Sequence, residues 1–439
     1  MREAGAPDVA VRTFSHYHGL LDAGESGLMP DAGLRPPGDV PAAEDLDAGE
    51  APLDRAVVLK LNGGLGTSMG MQRAKSLLEV REGLTFLDVI VRQTAALHER
   101  ASARVPLVLM DSFSTQADSL AALEAHPELV QDVPRDFLQN KEPKLRADDL
   151  APVEWPDRPE LEWCPPGHGD LYTALETSGM LATLLERGIT HAFVSNSDNL
   201  GAVLEPGILA WIVREEIPFL MEVCPRTAAD RKGGHLAARA DDGRLVLRES
   251  AQTPPEDVDS FQDTERWTWF NTNNLWVDLR ALAAALGERD GVLGLPMIVN
   301  RKTVDPGDPG SPEVVQIETA MGAAIAAFSG ARALEVARGR FAPVKTTNDL
   351  LVLRSDAYRL GEDGRVERVG GPDRVDLDPD HYKLVDDFEA RFPDGPPSLR
   401  ECSSLVVRGD VAFGAGVVCR GDVELEGPAR IEPGAELSG

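Results

Sequence analysis

A chain of 439 residues with 42% hydrophobic side chains can bury a large interior but is too long for one ordinary core, so two or three domains are expected. Its 73 acidic against 44 basic side chains leave a formal net charge of −29, which argues against non-specific binding to nucleic acid or anionic membranes, since both need basic surface. There is no run of 18 apolar residues, no signal-like N-terminal core and no C-x-x-C pair among Cys164, Cys224, Cys402 and Cys419, so a cytoplasmic protein with free thiols and no zinc site is expected.

Residues 1–50 are rich in Pro, Gly, Ala and Asp and weakly periodic apart from a patch at 14–21. They predict a helical fragment and then an extended segment lying over the core. From residue 56 onward strands alternate with helices. Residues 56–59 read as a buried strand, 84–99 as an amphipathic helix, 105–110 as a strand and 115–124 as a helix. After a Pro-rich stretch, 170–187 reads as helical, 191–195, 217–223 and 275–277 as strands, and 315–328 as a helix. This alternation predicts an α/β fold built on a doubly wound, mixed but mostly parallel sheet, with ligands beyond the carboxyl ends of its strands. The tail differs. Leu405, Val411, Val417, Val423, Ala429 and Ala435 recur every six residues, and Gly409, Ala415, Gly421, Gly427, Pro433 and Gly439 keep the same period. Six-residue periodicity marks a parallel β-helix, expected over 395–439, with 346–394 as connector.

Directly after the first buried strand, Gly63, Gly64, Gly66 and Gly70 fall within eight positions, with Lys75 just beyond. Glycines let the backbone approach a ligand closely, so main-chain N–H groups can hold a phosphate or a base edge while a lysine supplies charge. Neither standard phosphate loop fits: Gly70 is followed by Met71 and Gln72, and Met69 stands where a dinucleotide fingerprint needs glycine. Three further stretches carry chemistry. Pro165-Pro166-Gly167-His168-Gly169-Asp170 places glycines and a histidine before a helix. Ser195-Asn196-Ser197-Asp198-Asn199 ends a strand with a carboxylate suited to Mg²⁺, which takes one or two carboxylates plus substrate phosphates. Lys345 opens a predicted helix, where the macrodipole disfavours a cation and an anion sharing the site would resolve the conflict. Only eight of the basic residues are lysines, and seven of them (all but Lys383) fall in such stretches. That suggests positions where a compact charge is needed and a planar guanidinium would not fit.

In order, the chain reads K-L-N-G-G-L-G-T-S-M-G, K-S-L-L-E-V, P-P-G-H-G-D, S-N-S-D-N-L-G-A, K-G-G, F-N-T-N-N-L-W, E-T-A-M-G and P-V-K-T-T-N-D-L-L. From about residue 56 to residue 360 this is similar to the eukaryotic-type UTP–glucose-1-phosphate uridylyltransferases, and the hexad tail matches that family's layout. The resemblance implies a Rossmann-like, GT-A-like catalytic domain over 51–345 that joins UTP and glucose 1-phosphate, with Mg²⁺ as cofactor. By resemblance, Leu61, Asn62, Gly63, Gly64 and Gln139 would hold the uracil, and Gly167 and Asn196 the nucleoside. His168, Gly233, Asn273 and Glu318 would line the hexose phosphate. Asp198 would hold the metal, and Lys75 and Lys345 would grip the phosphates as the catalytic cations. Any homo-oligomer would form through the C-terminal domain. The chain departs from the family at Ala74, where proline is usual, at Leu138 of an Asn-Gln pair, and at Ser197, where isoleucine is common. Rival expectations are the same chemistry on another sugar, such as an N-acetylhexosamine, or a non-catalytic nucleotide-sugar sensor.

Overall fold

The computed structural model describes residues 1–47, 49–101 and 103–439. A ten-stranded mixed sheet forms the centre, in the order Leu34–Arg35, His235–Arg239, Trp269–Asp278, His191–Asn196, Ala56–Leu61, Leu107–Asp111, Asp136–Leu138. The last four strands run parallel to one another. Trp269–Asp278 is antiparallel to His191–Asn196 and also pairs with Phe219–Pro225, which carries Arg332–Glu335 in parallel at a second edge.

Three of the parallel strands, His191–Asn196, Ala56–Leu61 and Leu107–Asp111, are buried on both faces along most of their length, which is why they carry apolar runs in the sequence. Val58, Leu107, Leu109 and Phe193 face one core, together with Phe86, Leu87 and Ile90 of the Phe86–Ala101 helix. Val57, Leu59, Val108, Ala192 and Val194 face the other, packed with Leu171, Leu175 and Leu184. Burying each such aliphatic side chain contributes roughly 1.5–3 kcal/mol relative to leaving it in water.

Two elements differ from the sequence expectation. Residues 315–328 are not a helix: Glu313–Thr319 is a strand, antiparallel to Met297–Thr303 over seven pairs, and only a short 3₁₀ turn, Met321–Ala326, follows. Val314, Val315, Ile317 and Thr319 are β-branched, so a helix would restrict their χ1 angles, while the ladder accommodates them and sets Val315 and Ile317 against Tyr17 and Leu145. The expected helix over 170–187 is two helices, Leu171–Thr177 and Met180–Glu186, parted at Gly179, whose φ of 74° no helix admits.

The N-terminal Asp8–Asp22 helix packs on Leu171–Thr177. The chain then crosses the core as an extended strap: the Met29 N–H donates to the Gln252 carbonyl (2.7 Å), Leu34–Arg35 pairs with His235–Arg239, and the Pro41 carbonyl accepts from the Glu335 N–H (2.8 Å). Buried Arg248 pins the strap through Asp31, and Asp31 also accepts from Arg266 at 2.7 Å. At the other end of the chain, short parallel strands pair at an offset of 18 residues: Leu405 opposite Val423, Val411 opposite Ala429, Val418 opposite Glu436. They lie in two separate sheets, with Leu405, Val411, Val417 and Val423 buried beneath them. Among the described residues no helix is long and apolar enough to cross a membrane.

Candidate active site

Parallel register builds the site. Leu61 lies opposite both Asn196 and Met110, and Met110 lies opposite Phe137. The chain therefore leaves the sheet at one level four times, into the glycine loop, Ser112, Gln139 and Ser197–Asp198, as expected for ligand sites at strand carboxyl ends. These ends surround a cavity of about 310 Å³ lined by Leu61, Gly63, Gly64, Lys75, Met110, Gln139, Pro165, Gly167, His168, Asn196, Ser197 and Asp198. Pro165 and Ser197 belong to stretches that the sequence marks without assigning either a site role, and it does not single out Met110; the strand register brings Met110 to the cavity.

The glycine loop is held from beneath. Asn62 is buried and does not line the cavity: its Nδ2 donates to Asp111 Oδ1 (2.7 Å) and Ser119 Oγ (2.8 Å). Burial pushes the Asp111 carboxyl up to about 6, against the opposing hydrogen bonds from Asn62 and Thr115. Ser112 Oγ donates to the Gly63 carbonyl at 3.0 Å. A Cβ at Gly63 would stand 2.8 Å from Gln139 Oε1, so a side chain there would displace the Gln139 amide from its place against the loop. Among the described residues the Gly63 and Gly64 N–H groups have no intrachain acceptor, which leaves them available to a ligand.

The opposite wall is the proline–glycine turn. Gly167 adopts φ 79°, ψ 174°, a conformation essentially confined to glycine, and a Cβ there would meet the Thr319 carbonyl oxygen at 2.6 Å. The Thr319 N–H donates to the Pro166 carbonyl (2.9 Å), so the turn is sealed backbone to backbone against Glu313–Thr319. His168 Nδ1 accepts from the Met321 N–H at 3.0 Å, which fixes the tautomer and leaves Nε2–H as a donor at the cavity. Desolvation lowers the His168 pKa, opposed by the nearby Glu318 carboxylate, so the ring is neutral at pH 7. Asp170 accepts twice from Asn140 (2.6 and 2.9 Å), yet burial still lifts its pKa to about 7.

At the cavity's charged end Lys75 Nζ donates to Asp198 Oδ2 at 2.8 Å and to the Val344 carbonyl, while the Val344 N–H donates to the Asp198 carbonyl at 3.1 Å. Asp198 Oδ1 is buried with no hydrogen-bond partner. Among the described residues no group of three or more His, Cys, Asp or Glu side chains is arranged to hold a metal. A divalent cation would thus have one protein carboxylate and would take its other ligands from phosphate oxygens and water, a pattern that suits Mg²⁺.

Gly233, Asn273, Glu318 and Lys345 lie outside the cavity lining. Lys345 is exposed and lines a larger groove of about 1180 Å³ between the 337–345 segment and the hairpin of Tyr358–Leu360 and Val366–Arg368. It precedes its helix by two residues: Thr346 is the N-cap of Thr347–Arg354, and Asp349 closes a capping box while accepting from the Lys345 N–H at 2.9 Å. The helix thus supplies its own anion, which corrects the expectation that the dipole alone demands an external one. The ammonium sits 5.9 Å from the Phe341 ring centroid, Phe341 packs on Phe270, and Phe270 covers Gly233. Lys345 therefore joins the Gly233 side of the site. Asn273 takes φ 58° where Trp269–Asp278 bulges opposite Glu222. Glu222 is fully buried and accepts from Arg340, Asn274 and Trp276, a network missed in the sequence because its members are far apart in the chain. Beside it lies buried Lys60, whose pKa falls to about 7, chiefly by desolvation and further by Arg340.

A family profile described as UTP–glucose-1-phosphate uridylyltransferase matches residues 29–420. The UTP–glucose-1-phosphate uridylyltransferase of Hordeum vulgare is 44% identical over 400 residues, covering 89% of this chain and 81% of that protein. That of Saccharomyces cerevisiae is 42% identical over 376 residues, covering 84% and 74%. Among solved structures, a UDP-glucose pyrophosphorylase variant from Leishmania major, in complex with UDP-glucose, superposes with a TM-score of 0.93 at 45% identity, covering 100% of this chain and 96% of that one. Profile, sequence and architecture agree: the chain belongs to the UTP–glucose-1-phosphate uridylyltransferase family.

Proposed function

We propose that the chain transfers a uridylyl group from UTP to glucose 1-phosphate, forming UDP-glucose and pyrophosphate. An oxygen of the sugar phosphate attacks the α-phosphorus, the bond from that phosphorus to the bridging oxygen breaks, and pyrophosphate leaves. The observation that carries this reading is the cavity where two unengaged glycine N–H groups, a free glutamine amide and the Lys75–Asp198 pair converge. The base end would be held by the glycine loop and Gln139, with Gly167 and Asn196 along the nucleoside. His168 would donate Nε2–H to a phosphate oxygen, and Gly233, Asn273 and Glu318 would meet the hexose phosphate. Two anions must meet at one phosphorus, so charge neutralisation and alignment supply most of the rate. Lys75 and Lys345 are the cations assigned to that task. Mg²⁺ at Asp198 would supply further charge neutralisation when bound; the unpartnered Oδ1 supports this assignment.

We also read residues 395–439 as a small β-helix, supported by strand pairs offset by 18 residues, three hexads per coil. It is the segment to which we assign any contact between copies. The deciding experiment measures pyrophosphate release from UTP with a panel of sugar 1-phosphates. Glucose 1-phosphate should give the highest kcat/KM. A preference for an N-acetylhexosamine 1-phosphate, or no turnover with any sugar, would overturn the reading.

A further inference from the structure

Lys141 sits apart from the groups described above, and its surroundings are unusual. Its ammonium lies 4.8 Å from the Trp163 ring centroid and 5.8 Å from that of Phe113. Among the described residues no carboxylate lies within ion-pair distance of it and its Nζ donates no hydrogen bond within the chain. With two aromatic faces at cation–π distance and no ion pair among the described residues, the ring quadrupoles are the partners the structure gives this ammonium. Phe113 is the most exposed of the large apolar side chains among the described residues, at 65%, although it stands on a turn whose Ser112 and Thr115 are buried and hydrogen-bonded.

The three residues belong to the three segments that close one end of the cavity. Phe113 follows Ser112, which holds the Gly63 carbonyl. Lys141 is two residues beyond Gln139, whose amide lies against Gly63. Trp163 is two residues before Pro165, and its strand, Trp163–Cys164, pairs antiparallel with Glu142–Pro143, which fixes Lys141 beside it. One cation therefore ties together the segments that carry Ser112, Gln139 and Pro165.

We propose that Phe113, Lys141 and Trp163 form a cation–π bracket that sets the width of the base end of the cavity, with Lys141 as a positioning residue that favours a pyrimidine over the larger purine ring system. This rests on the reading that the cavity takes a nucleoside triphosphate. Lys141 lies outside the cavity lining that holds Lys75 and Asp198, so its loss should act on the base and spare the chemical step.

The test compares Lys141→Met, Lys141→Arg and Phe113→Ala in steady-state kinetics with UTP and with ATP. Lys141→Met should raise KM for UTP about fivefold, the scale of one lost cation–π contact, with kcat and the KM for glucose 1-phosphate little changed. Its preference for UTP over ATP should fall by a similar factor. Lys141→Arg, whose guanidinium also stacks on aromatic faces, should restore both. Phe113→Ala should weaken UTP binding in the same direction, and adding it to Lys141→Met should cost less than the sum of the two. Unchanged UTP KM and base preference in Lys141→Met would overturn the proposal, as would an arginine variant no better than the methionine one. Wild-type protein inactive with UTP would instead remove the underlying functional reading.

Discussion

Gly167→Ala is the sharpest test of how the site is built. The backbone there lies at φ 79°, ψ 174°, where a residue with a Cβ costs ~1–3 kcal/mol. The new Cβ would start 2.6 Å from the Thr319 carbonyl oxygen and 2.9 Å from its nitrogen, whereas real Cβ atoms essentially never come within 3.0 Å. Turn and strand must therefore part, which stretches the Thr319 N–H to Pro166 carbonyl bond and forfeits ~1 kcal/mol. The combined destabilisation is roughly 2–4 kcal/mol. Because His168 is the next residue, its Nε2 moves with the turn, and a misplacement near 1 Å costs on the order of a hundredfold in rate. Urea unfolding and steady-state pyrophosphate release would be measured together. Gly179→Ala is the control: its φ is 74°, but no heavy atom lies within 4 Å of the added carbon. It should lose only ~1–2 kcal/mol of stability and keep its activity. Wild-type stability and kcat/KM in Gly167→Ala, or equal kinetic damage in the control, would refute the packing argument.

Asp198→Asn should abolish turnover at saturating Mg²⁺ while the unfolding curve stays close to wild type; a near wild-type rate would reduce Asp198 to a partner of Lys75. Lys345→Ala should depress kcat by about a hundredfold or more, the scale of one lost oxyanion contact, and Lys345→Arg should recover only part; a raised KM with normal kcat would make it a ground-state binding residue. Glu142 is buried and its carboxyl is pushed well above 4.5, first by desolvation and then by the Asp170 and Glu318 charges. As pH rises through 4.5 the unfolded chain releases that proton while the folded chain keeps it, so stability falls until the buried group also ionises. Glu142→Gln should lose less stability than wild type between pH 5 and pH 7.5, values chosen as roughly spanning the rise, and parallel pH dependences by urea unfolding would contradict this.

Much of the site was legible because it hangs on strands buried on both faces. The run from Ala56 to Leu59 announces itself, and the glycines after it mark where the chain leaves the sheet. The strand Glu313–Thr319 was not legible. Its partner, Met297–Thr303, lies across a turn of Asp, Pro and Gly residues, and its apolar spacing alone fits a helix as well as a ladder. Nor does the sequence say which motif residues share a cavity. Asn62 and Gly63 are neighbours in one motif, yet one faces Asp111 and the other Gln139. Lys75 and Lys345 look equivalent as isolated lysines, but Lys75 is hydrogen-bonded inside the cavity and Lys345 stands exposed in the adjoining groove.

Lys75 is already engaged twice, by the Asp198 carboxylate and the Val344 carbonyl. Recruiting it to a phosphate is therefore an exchange of partners, in which one anion replaces another and the net gain is small. A lone small anion, which can offer only that trade, has little reason to stay. A polyphosphate that also reaches the glycine N–H groups and Nε2–H of His168 gains bonds that no internal partner was supplying. On the proposed reading the arrangement would sort ligands by reach rather than by charge, without any steric barrier.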